Sequence, residues 1–164
     1  MDRGARVEFE AWLVAREFSL HRLAHMLADQ PHDADDLVQK TLAKMYLAWD
    51  RLHERHNIDA YARRVLINEH RTTWSRTQRR LEVITDKPPE LAPAEAQSPG
   101  RDSEVWAFVA SLPPRQRAVI VLRYYEGLTE SEIADVLGIA VGTVKSQASR
   151  AIAGLRSRFP QESR

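Results

Sequence analysis

Residues 128–150 read LTESEIADVLGIAVGTVKSQASR, and the special positions in this stretch each have a steric reason. Thr129 is followed three residues later by Glu132, which predicts a capping box at the start of a helix. Ala134 is small, as a position must be where two helices cross closely. Gly138 lies where the tight turn after that helix favours a left-handed residue. Together these offsets predict a helix-turn-helix.

The second helix of this motif has an apolar side and a polar side. We expect Val144 to pack back on the first helix, in a buried seam with Ile133, Leu137 and Ile139. The residues predicted to face outward supply hydroxyls, an amide and two cations: Thr143, Lys145, Ser146, Gln147, Ser149 and Arg150. Such groups suit the base edges and phosphates of a major groove, so this face is predicted to bind DNA. The alternative is a helical hairpin that contacts another protein.

Composition excludes several classes of protein. The chain has 164 residues, of which 43% are hydrophobic, enough for a packed core in one domain or two small ones. It contains no cysteine, which excludes disulfides and thiolate metal sites and fits a cytoplasmic location. Because there is neither an apolar run of membrane-spanning length nor a signal-peptide layout, we expect no membrane insertion. The net charge of +1 hides a basic stretch over residues 63–80 and an acidic stretch over residues 82–104.

The first half of the chain has helical periodicity. Apolar residues recur at helical spacing over residues 7–49, with a break at residues 30–32, which predicts two amphipathic helices. Asp33 is predicted to cap the second helix, with Asp35 and Asp36 in its first turn, where they complement the helix dipole.

A third helix is predicted after a polar loop. The loop covers residues 50–57, and the helix opens at Asp59 and ends near Arg80. We expect Trp49 and Tyr61, which lie at helical spacing, to be core residues rather than base-stacking surfaces.

The two halves are separated by KPPELAPAEAQSPG, residues 87–100, whose prolines and small residues predict a flexible linker. A short helix and a second helix over residues 115–125 precede the helix-turn-helix. We therefore predict an all-α protein of two small helical domains, residues 1–82 and 103–164, joined by a flexible linker over residues 83–102.

The arginine-rich part of the third helix also carries aromatic and amide groups. Trp74 lies close in sequence to Arg71, and Asn68 and His70 lie one to two turns earlier. Cations that follow a backbone, together with groups that stack on or hydrogen-bond to bases, are typical of single-strand capture. The alternative is a solvated helix face with Trp74 buried.

Two histidine pairs raise the question of a metal site. His21 and His25 are four residues apart, and His53 and His56 are three apart. Neither pair has a carboxylate or a third histidine at a recognised metal spacing, so we expect no metal and no cofactor. No catalytic triad or phosphate-binding loop is visible, so we expect neither an enzyme nor a small-molecule substrate.

Both halves of the chain resemble one family. Residues 33–52, DADDLVQKTLAKMYLAWDRL, resemble the region two helix that docks sigma factors on the clamp of RNA polymerase. Residues 61–80, YARRVLINEHRTTWSRTQRR, resemble the promoter-reading helix of that region. Region four is matched by residues 111–156, SLPPRQRAVIVLRYYEGLTESEIADVLGIAVGTVKSQASRAIAGLR, the most specific part of the resemblance. Nearly the whole chain is thus similar to the extracytoplasmic-function sigma factors, which retain only regions two and four, and within them to the actinobacterial SigE-like branch.

The resemblance implies roles for particular positions. The positions that contact the clamp helices of the beta-prime subunit are Asp35, Asp36, Leu37, Val38 and Gln39. The positions that read the minus-ten element are Asn68, His70 and Arg71, and the loop at residues 50–57 lies where a flipped base is held. The positions that meet the minus-thirty-five element are Lys145, Ser146, Ser149 and Arg150. Gln147 and Ala148 depart from the arginine and the larger apolar residue of many members.

The function implied is that of a sigma factor, which binds core RNA polymerase, directs it to promoter DNA and helps to nucleate strand opening without catalysing a reaction. Members of this group are commonly held inactive by an anti-sigma protein, so such a protein is a candidate partner. The main alternative is a helix-turn-helix transcriptional regulator with an N-terminal dimerisation or sensor domain. A metal-dependent enzyme built on His21 and His25 is a third class.

Overall fold

Regular structure in the described part of the chain is entirely helical. The computed structural model describes residues 1–52, 57–84 and 103–160, in which seven α-helices and one π-helical turn follow one another without a strand. The prediction of an all-α fold is confirmed. The chain divides into two compact units, Met1–Asp86 and Lys87–Arg164.

Three helices make up the first unit: α1 (Arg3–Leu27), α2 (Pro31–Leu52) and α3 (Ile58–Ile84). Each helix packs against both of the others. The most deeply buried side chains between them are Leu27, Val38, Met45, Trp49, Leu66 and Ile67. Burying an aliphatic side chain of this size contributes about 1.5–3 kcal/mol, so this seam holds the unit together.

An aromatic cluster joins α1 to α2. The Phe9 ring lies edge-on to Tyr46 and Trp49, with centroid distances of 5.4 and 5.1 Å. Trp12 lies 5.9 Å from Phe9 and 5.5 Å from Trp49, again between ring centroids. Trp49 is only 2% exposed, as predicted for a core residue, whereas the same prediction for Tyr61 is wrong because Tyr61 is 36% exposed.

The start of α2 differs from the sequence prediction. The helix begins at Pro31, because proline has a helical φ and lacks the N–H that the first helical position would leave unsatisfied. The carbonyl oxygen of Gln30 accepts hydrogen bonds from the amides of Asp33 and Ala34, at 3.1 and 3.2 Å. The prediction that Asp33 caps the helix is therefore wrong. Asp33 lies within the first turn instead, and Asp35 and Asp36, which were predicted to lie there, lie beyond it.

The start of α3 is capped by Asn57, whose side-chain Oδ1 accepts a hydrogen bond from the Ala60 amide at 3.1 Å. Asp59, which was predicted to open the helix, lies inside its first turn. Its carboxylate accepts a hydrogen bond from the Trp12 indole at 2.9 Å and pairs with the Arg16 guanidinium at 2.8 Å. Asp59 therefore ties the beginning of α3 to α1.

The second unit contains α4 (Ser103–Ser111), α5 (Pro114–Ile120), α6 (Glu130–Leu137) and α7 (Val141–Arg158). Here α7 packs against both α5 and α6. A π-helical turn, Val121–Tyr125, continues α5, where the sequence predicted an α-helix. The buried side chains of the unit include Val119, Leu122, Ile133, Leu137 and Val144.

The π-helical turn is followed by a glycine, Gly127. The Glu126 amide donates to the Val121 carbonyl at 3.1 Å, and the Leu128 amide donates to the Leu122 carbonyl at 3.0 Å. Gly127 between them has φ of 69°, a left-handed value that residues with a Cβ adopt only at a cost. The glycine thus closes this helix and lets the chain turn toward α6.

Candidate functional site

The helix-turn-helix of the second unit is formed by α6 and α7. The Thr129 hydroxyl accepts a hydrogen bond from the Glu132 amide at 3.2 Å, and the Glu132 carboxylate accepts one from the Thr129 amide at 2.7 Å. This reciprocal pair is the predicted capping box. Gly138 ends α6 with φ of 65° and ψ of 38°, as predicted for a left-handed residue. Ala140 then caps α7 without a side-chain hydrogen bond.

One side of α7 is buried and the other carries polar groups. Val144, Ala148 and Ala151 are at most 2% exposed. Four of the six residues predicted to face outward are exposed: Lys145, Ser146, Ser149 and Arg150. The other two, Thr143 and Gln147, are half-buried, so the exposed surface is narrower than predicted.

These four exposed residues, Lys145, Ser146, Ser149 and Arg150, are defined here as the α7 strip. Lys145 and Ser149 are four residues apart, as are Ser146 and Arg150, so the strip runs along one side of the helix for more than a turn. The Ser146 hydroxyl donates to the Thr143 carbonyl at 3.0 Å. The strip therefore presents two cations and two hydroxyls on a rigid helix, which is the chemistry of phosphate and base-edge contact.

An acidic residue of α6 lies beside the strip. The Glu130 carboxylate pairs with the Arg123 guanidinium at 2.8 Å and lies 4.0 Å from the Lys145 ammonium. Sequence reasoning missed Glu130 and Arg123, because their pairing joins two elements across a turn and follows no helical spacing. The carboxylate is 26% exposed and the Lys145 side chain 64%, so Lys145 remains accessible to a polyanion.

A second polar surface lies on α3. Asn68, His70 and Trp74 are half-buried, and Arg71 is exposed. Asn68, Arg71 and Trp74 follow one another at intervals of three residues, and His70 lies four residues before Trp74, so the four residues form one broad band along about two turns of the helix. Trp74 is half-buried and its indole Nε1 is shielded from solvent, so part of the ring is covered, as in the alternative reading of a buried Trp74. The band therefore combines an aromatic surface, an amide, an imidazole and a guanidinium.

The five positions with an implied role in polymerase docking divide by exposure. Asp35, Asp36 and Gln39 are exposed on α2. Leu37 and Val38 are 4% and 0% exposed, respectively, and belong to the core of the first unit. Side chains at these two positions do not present a surface to a partner in this structure, because the three-helix packing covers them.

The exposed carboxylates of α2 have different neighbours. Asp36 pairs with Lys40 one turn later, at 2.8 Å. One oxygen of Asp35 lies 3.6 Å from His21 Nδ1 and 3.6 Å from His25 Nε2. The sequence has no third ligand for the His21 and His25 pair at a recognised metal spacing, but the structure brings Asp35 to the pair from the next helix.

The predicted base-holding loop is shorter than the sequence suggested. Residues 50–52 are the end of α2, and the Asp50 carboxylate pairs with the chain's N-terminal ammonium at 3.0 Å. Residues 53–56, with His53 and His56, lie outside the described residues. Among the helices that the structure describes, none is long and apolar enough to cross a membrane.

Comparison with known families accounts for most of the chain. Residues 18–80 match the model for sigma-70 region 2, and residues 103–155 match the model for sigma-70, region 4. The first match covers α2 and the α3 band, and the second covers the helix-turn-helix. A regulator with an unrelated N-terminal sensor domain is not favoured by these matches.

Similar proteins align with both halves of the chain. The RNA polymerase sigma-E factor of Streptomyces coelicolor is 40% identical over 157 residues, which cover 95% of this chain and 88% of that protein. The ECF RNA polymerase sigma factor SigE of Mycolicibacterium smegmatis is 30% identical over 88% of this chain and 58% of its own length. Among solved structures, the sigma factor RpoE of Bartonella quintana, in complex with the anti-sigma factor NepR, aligns with a TM-score of 0.69 and 26% identity. That alignment covers 95% of this chain and 99% of the other.

Proposed function

Since the chain belongs to the sigma-70 family of RNA polymerase sigma factors, we propose that its exposed surfaces divide promoter recognition between the two units. The α7 strip binds the minus-thirty-five element, the α3 band captures the opened minus-ten strand, and α2 docks on the polymerase clamp. The observation that carries this proposal is the α7 strip itself, a rigid row of cations and hydroxyls on the second helix of a capped helix-turn-helix.

Docking on the polymerase is assigned to Asp35, Asp36 and Gln39. Their exposure on α2 makes them available to a basic partner surface. Leu37 and Val38 act indirectly in this proposal, because their burial fixes the rotation of α2 and so determines which side chains face outward. A charge-based docking site should be strongly sensitive to reversal of a central carboxylate.

Capture of the minus-ten strand is assigned to the α3 band. Opening duplex DNA costs about 1.4 kcal/mol per stacked step, and stacking an exposed base on an aromatic side chain returns about 1–3 kcal/mol. Trp74 can offer one such surface, while Arg71 contacts the backbone and Asn68 and His70 offer hydrogen-bonding groups. One aromatic surface cannot offset several opened steps. Core polymerase must therefore share the cost, which makes docking a condition of strand opening.

The protein is inferred to act by binding alone. Its work in this account is positioning the polymerase on promoter DNA, so no substrate is chemically changed by the chain and no cofactor is required. It acts where RNA polymerase acts, in the bacterial cytoplasm. Because a structural relative binds an anti-sigma factor, an anti-sigma protein is also a candidate partner for this chain.

The docking assignment is tested by Asp36→Arg in the full-length protein. Binding to purified core polymerase is measured by fluorescence anisotropy of the labelled chain, and we expect Asp36→Arg to abolish it. Lys40→Ala is the matched control, because it breaks the same 2.8 Å ion pair and leaves the carboxylate in place. Loss of binding only in Asp36→Arg supports docking through the carboxylate. Unchanged affinity in Asp36→Arg would refute the assignment.

The strand-capture assignment is tested on two promoter templates. Trp74→Ala and Asn68→Ala should reduce transcription from a duplex promoter and recover activity on a template with a premelted minus-ten bubble. Equal losses on both templates would contradict a role in capturing the opened strand. Because Trp74 is half-buried, circular dichroism of each variant is used to check that the helical fold is kept.

A further inference from the structure

Two histidines and a carboxylate converge on the surface of the first unit. His21 and His25 lie on successive turns of α1, and Asp35 faces them from α2. One ligand atom from each of the three residues lies within 4.8 Å of the others. Both imidazole nitrogens approach the same carboxylate oxygen, Asp35 Oδ1, at 3.6 Å. The cluster thus joins neighbouring helices near the surface assigned to polymerase docking.

The spacing matches the coordination sphere of a small metal ion. Zinc binds histidine nitrogen at about 2.0–2.1 Å and carboxylate oxygen at about 2.0–2.2 Å, so adjacent ligand atoms in a tetrahedral site are about 3.3–3.4 Å apart. The two 3.6 Å separations in the cluster need to shorten by only a few tenths of an ångström. The third separation, between the ligand nitrogens of His21 and His25, is within 4.8 Å. It can shorten by rotation of the His25 side chain, which is 47% exposed.

The other nitrogen of His21 also has a suitable neighbour. His21 Nε2 lies 3.9 Å from the Glu17 carboxylate, whereas Asp35 lies beside Nδ1. Metal-bound histidines almost always donate their second N–H to a carboxylate, a backbone carbonyl or a water, which fixes the ring and raises its basicity as a ligand. A small movement of the exposed Glu17 side chain completes this arrangement.

We propose that His21, His25 and Asp35 bind one divalent transition-metal ion of the zinc type, with water completing the coordination. Two imidazoles and one carboxylate form a ligand set suited to zinc, and three protein ligands leave an open position for water. The His32 and Asp33 pair shows the contrast, because it holds a 3.3 Å contact with an 81% exposed imidazole and belongs to no three-residue cluster in the described chain.

Occupancy of this site would compete with polymerase docking. Asp35 is one of the exposed carboxylates assigned to the clamp contact, and a bound cation would occupy its oxygen and cancel its charge. This part of the inference rests on the proposed function. This competition would make the affinity of the chain for core polymerase depend on the concentration of free zinc.

The site is tested first without polymerase. Metal-free full-length protein is titrated with Zn²⁺ against a chromophoric chelator, and with Co²⁺ to record the visible spectrum of a tetrahedral site. We expect one ion per chain, and a loss of at least about tenfold in affinity for His25→Ala and Asp35→Asn. His32→Ala is the matched control and should bind as the wild type does. No binding by the wild type, or equal binding by all four proteins, would overturn the site.

The competition is tested in a second titration. Core polymerase binding of the wild type should weaken at least about fivefold when Zn²⁺ saturates the site, and that of His25→Ala should not respond. The variant controls for any direct effect of zinc on the polymerase. Zinc binding without a change in docking would refute the competition and leave the metal site in place. Failure of the metal-free wild type to bind polymerase would instead refute the docking assignment.

Discussion

The proposed DNA contact of the second unit makes a quantitative prediction about salt. The combined variant Lys145→Ala and Arg150→Ala removes both cations of the α7 strip. Neither residue is in the buried core of the unit, so its fold should be kept. Lys145 loses only an exposed pair with Glu130 at 4.0 Å, an interaction worth less than about 1 kcal/mol. The change therefore acts on DNA binding and not on stability.

The magnitude follows from counterion release. Each phosphate contact removed reduces the magnitude of the slope of log K against log salt by about 0.9. Between about 50 and 200 mM salt, one contact accounts for about a 3.5-fold change in affinity and two contacts for about twelvefold. Over that range, the affinity of the variant should fall about twelvefold less than that of the wild type.

The assay is anisotropy of a labelled promoter duplex bound by the reconstituted holoenzyme at several salt concentrations. The matched control is Arg156→Ala with Arg158→Ala, which removes the same charge from exposed residues near the end of α7, outside the strip. The control should keep the wild-type slope. An unchanged slope in the strip variant, or the same reduction in the control, would refute phosphate contact by Lys145 and Arg150.

Three further predictions concern stability, each measured by urea denaturation of the full-length protein. Thr129→Ala should lower the free energy of unfolding by about 1 kcal/mol. Because the capping box is reciprocal, Glu132→Ala should lower the free energy of unfolding less in the Thr129→Ala protein than in the wild type. Strictly additive effects of the two substitutions would contradict this. Gly138→Ala should lower the free energy of unfolding by about 1–2 kcal/mol, because a residue with a Cβ is strained in the left-handed conformation, and Gly138→Asn should lower it less. Equal stability of the wild type and both variants would contradict this. Phe9→Ala should lower the free energy of unfolding by about 3–5 kcal/mol, because it removes the centre of the aromatic cluster. A smaller loss of stability for Phe9→Ala than for Phe9→Leu would show that the cluster does not hold α1 to α2.

Features set by local chemistry could be predicted from the sequence. The capping box depends on a hydroxyl and a carboxylate three residues apart, and the turn depends on one residue without a Cβ. The burial of Val144 against α6 was predicted from its apolar side chain and its place in the motif. In each case the residues that interact are close in the chain. Residue type and spacing along the chain were therefore enough to predict these contacts.

Features set by packing between helices could not be predicted in this way. The acidic start of α2 resembled a cap, but Pro31 supplied a better first position and moved the helix start upstream. Leu37 and Val38 belong to a run with implied partner contacts, yet the three-helix core covers them. Asp35 is ten residues from His25, and only the antiparallel return of α2 brings their side chains together.

The π-helical turn after α5 was also not predicted from the sequence. Its residues have the apolar spacing of an α-helix, and the widened turn is seen in hydrogen bonds such as the one from the Glu126 amide to the Val121 carbonyl. The pairing of Arg123 with Glu130 follows from this geometry, because it joins the π-helical turn to the start of α6. Such pairs are set by the tertiary path of the chain and not by a repeat.

The role of the chain as a sigma factor can be tested directly by run-off transcription with core polymerase from a related bacterium, on a pool of genomic promoter fragments, with and without this protein. If the chain is a sigma factor that docks through Asp36, transcripts with defined starts should require the protein and should be lost in Asp36→Arg. Sequence-specific DNA binding without polymerase, combined with no dependent transcripts, would contradict this role.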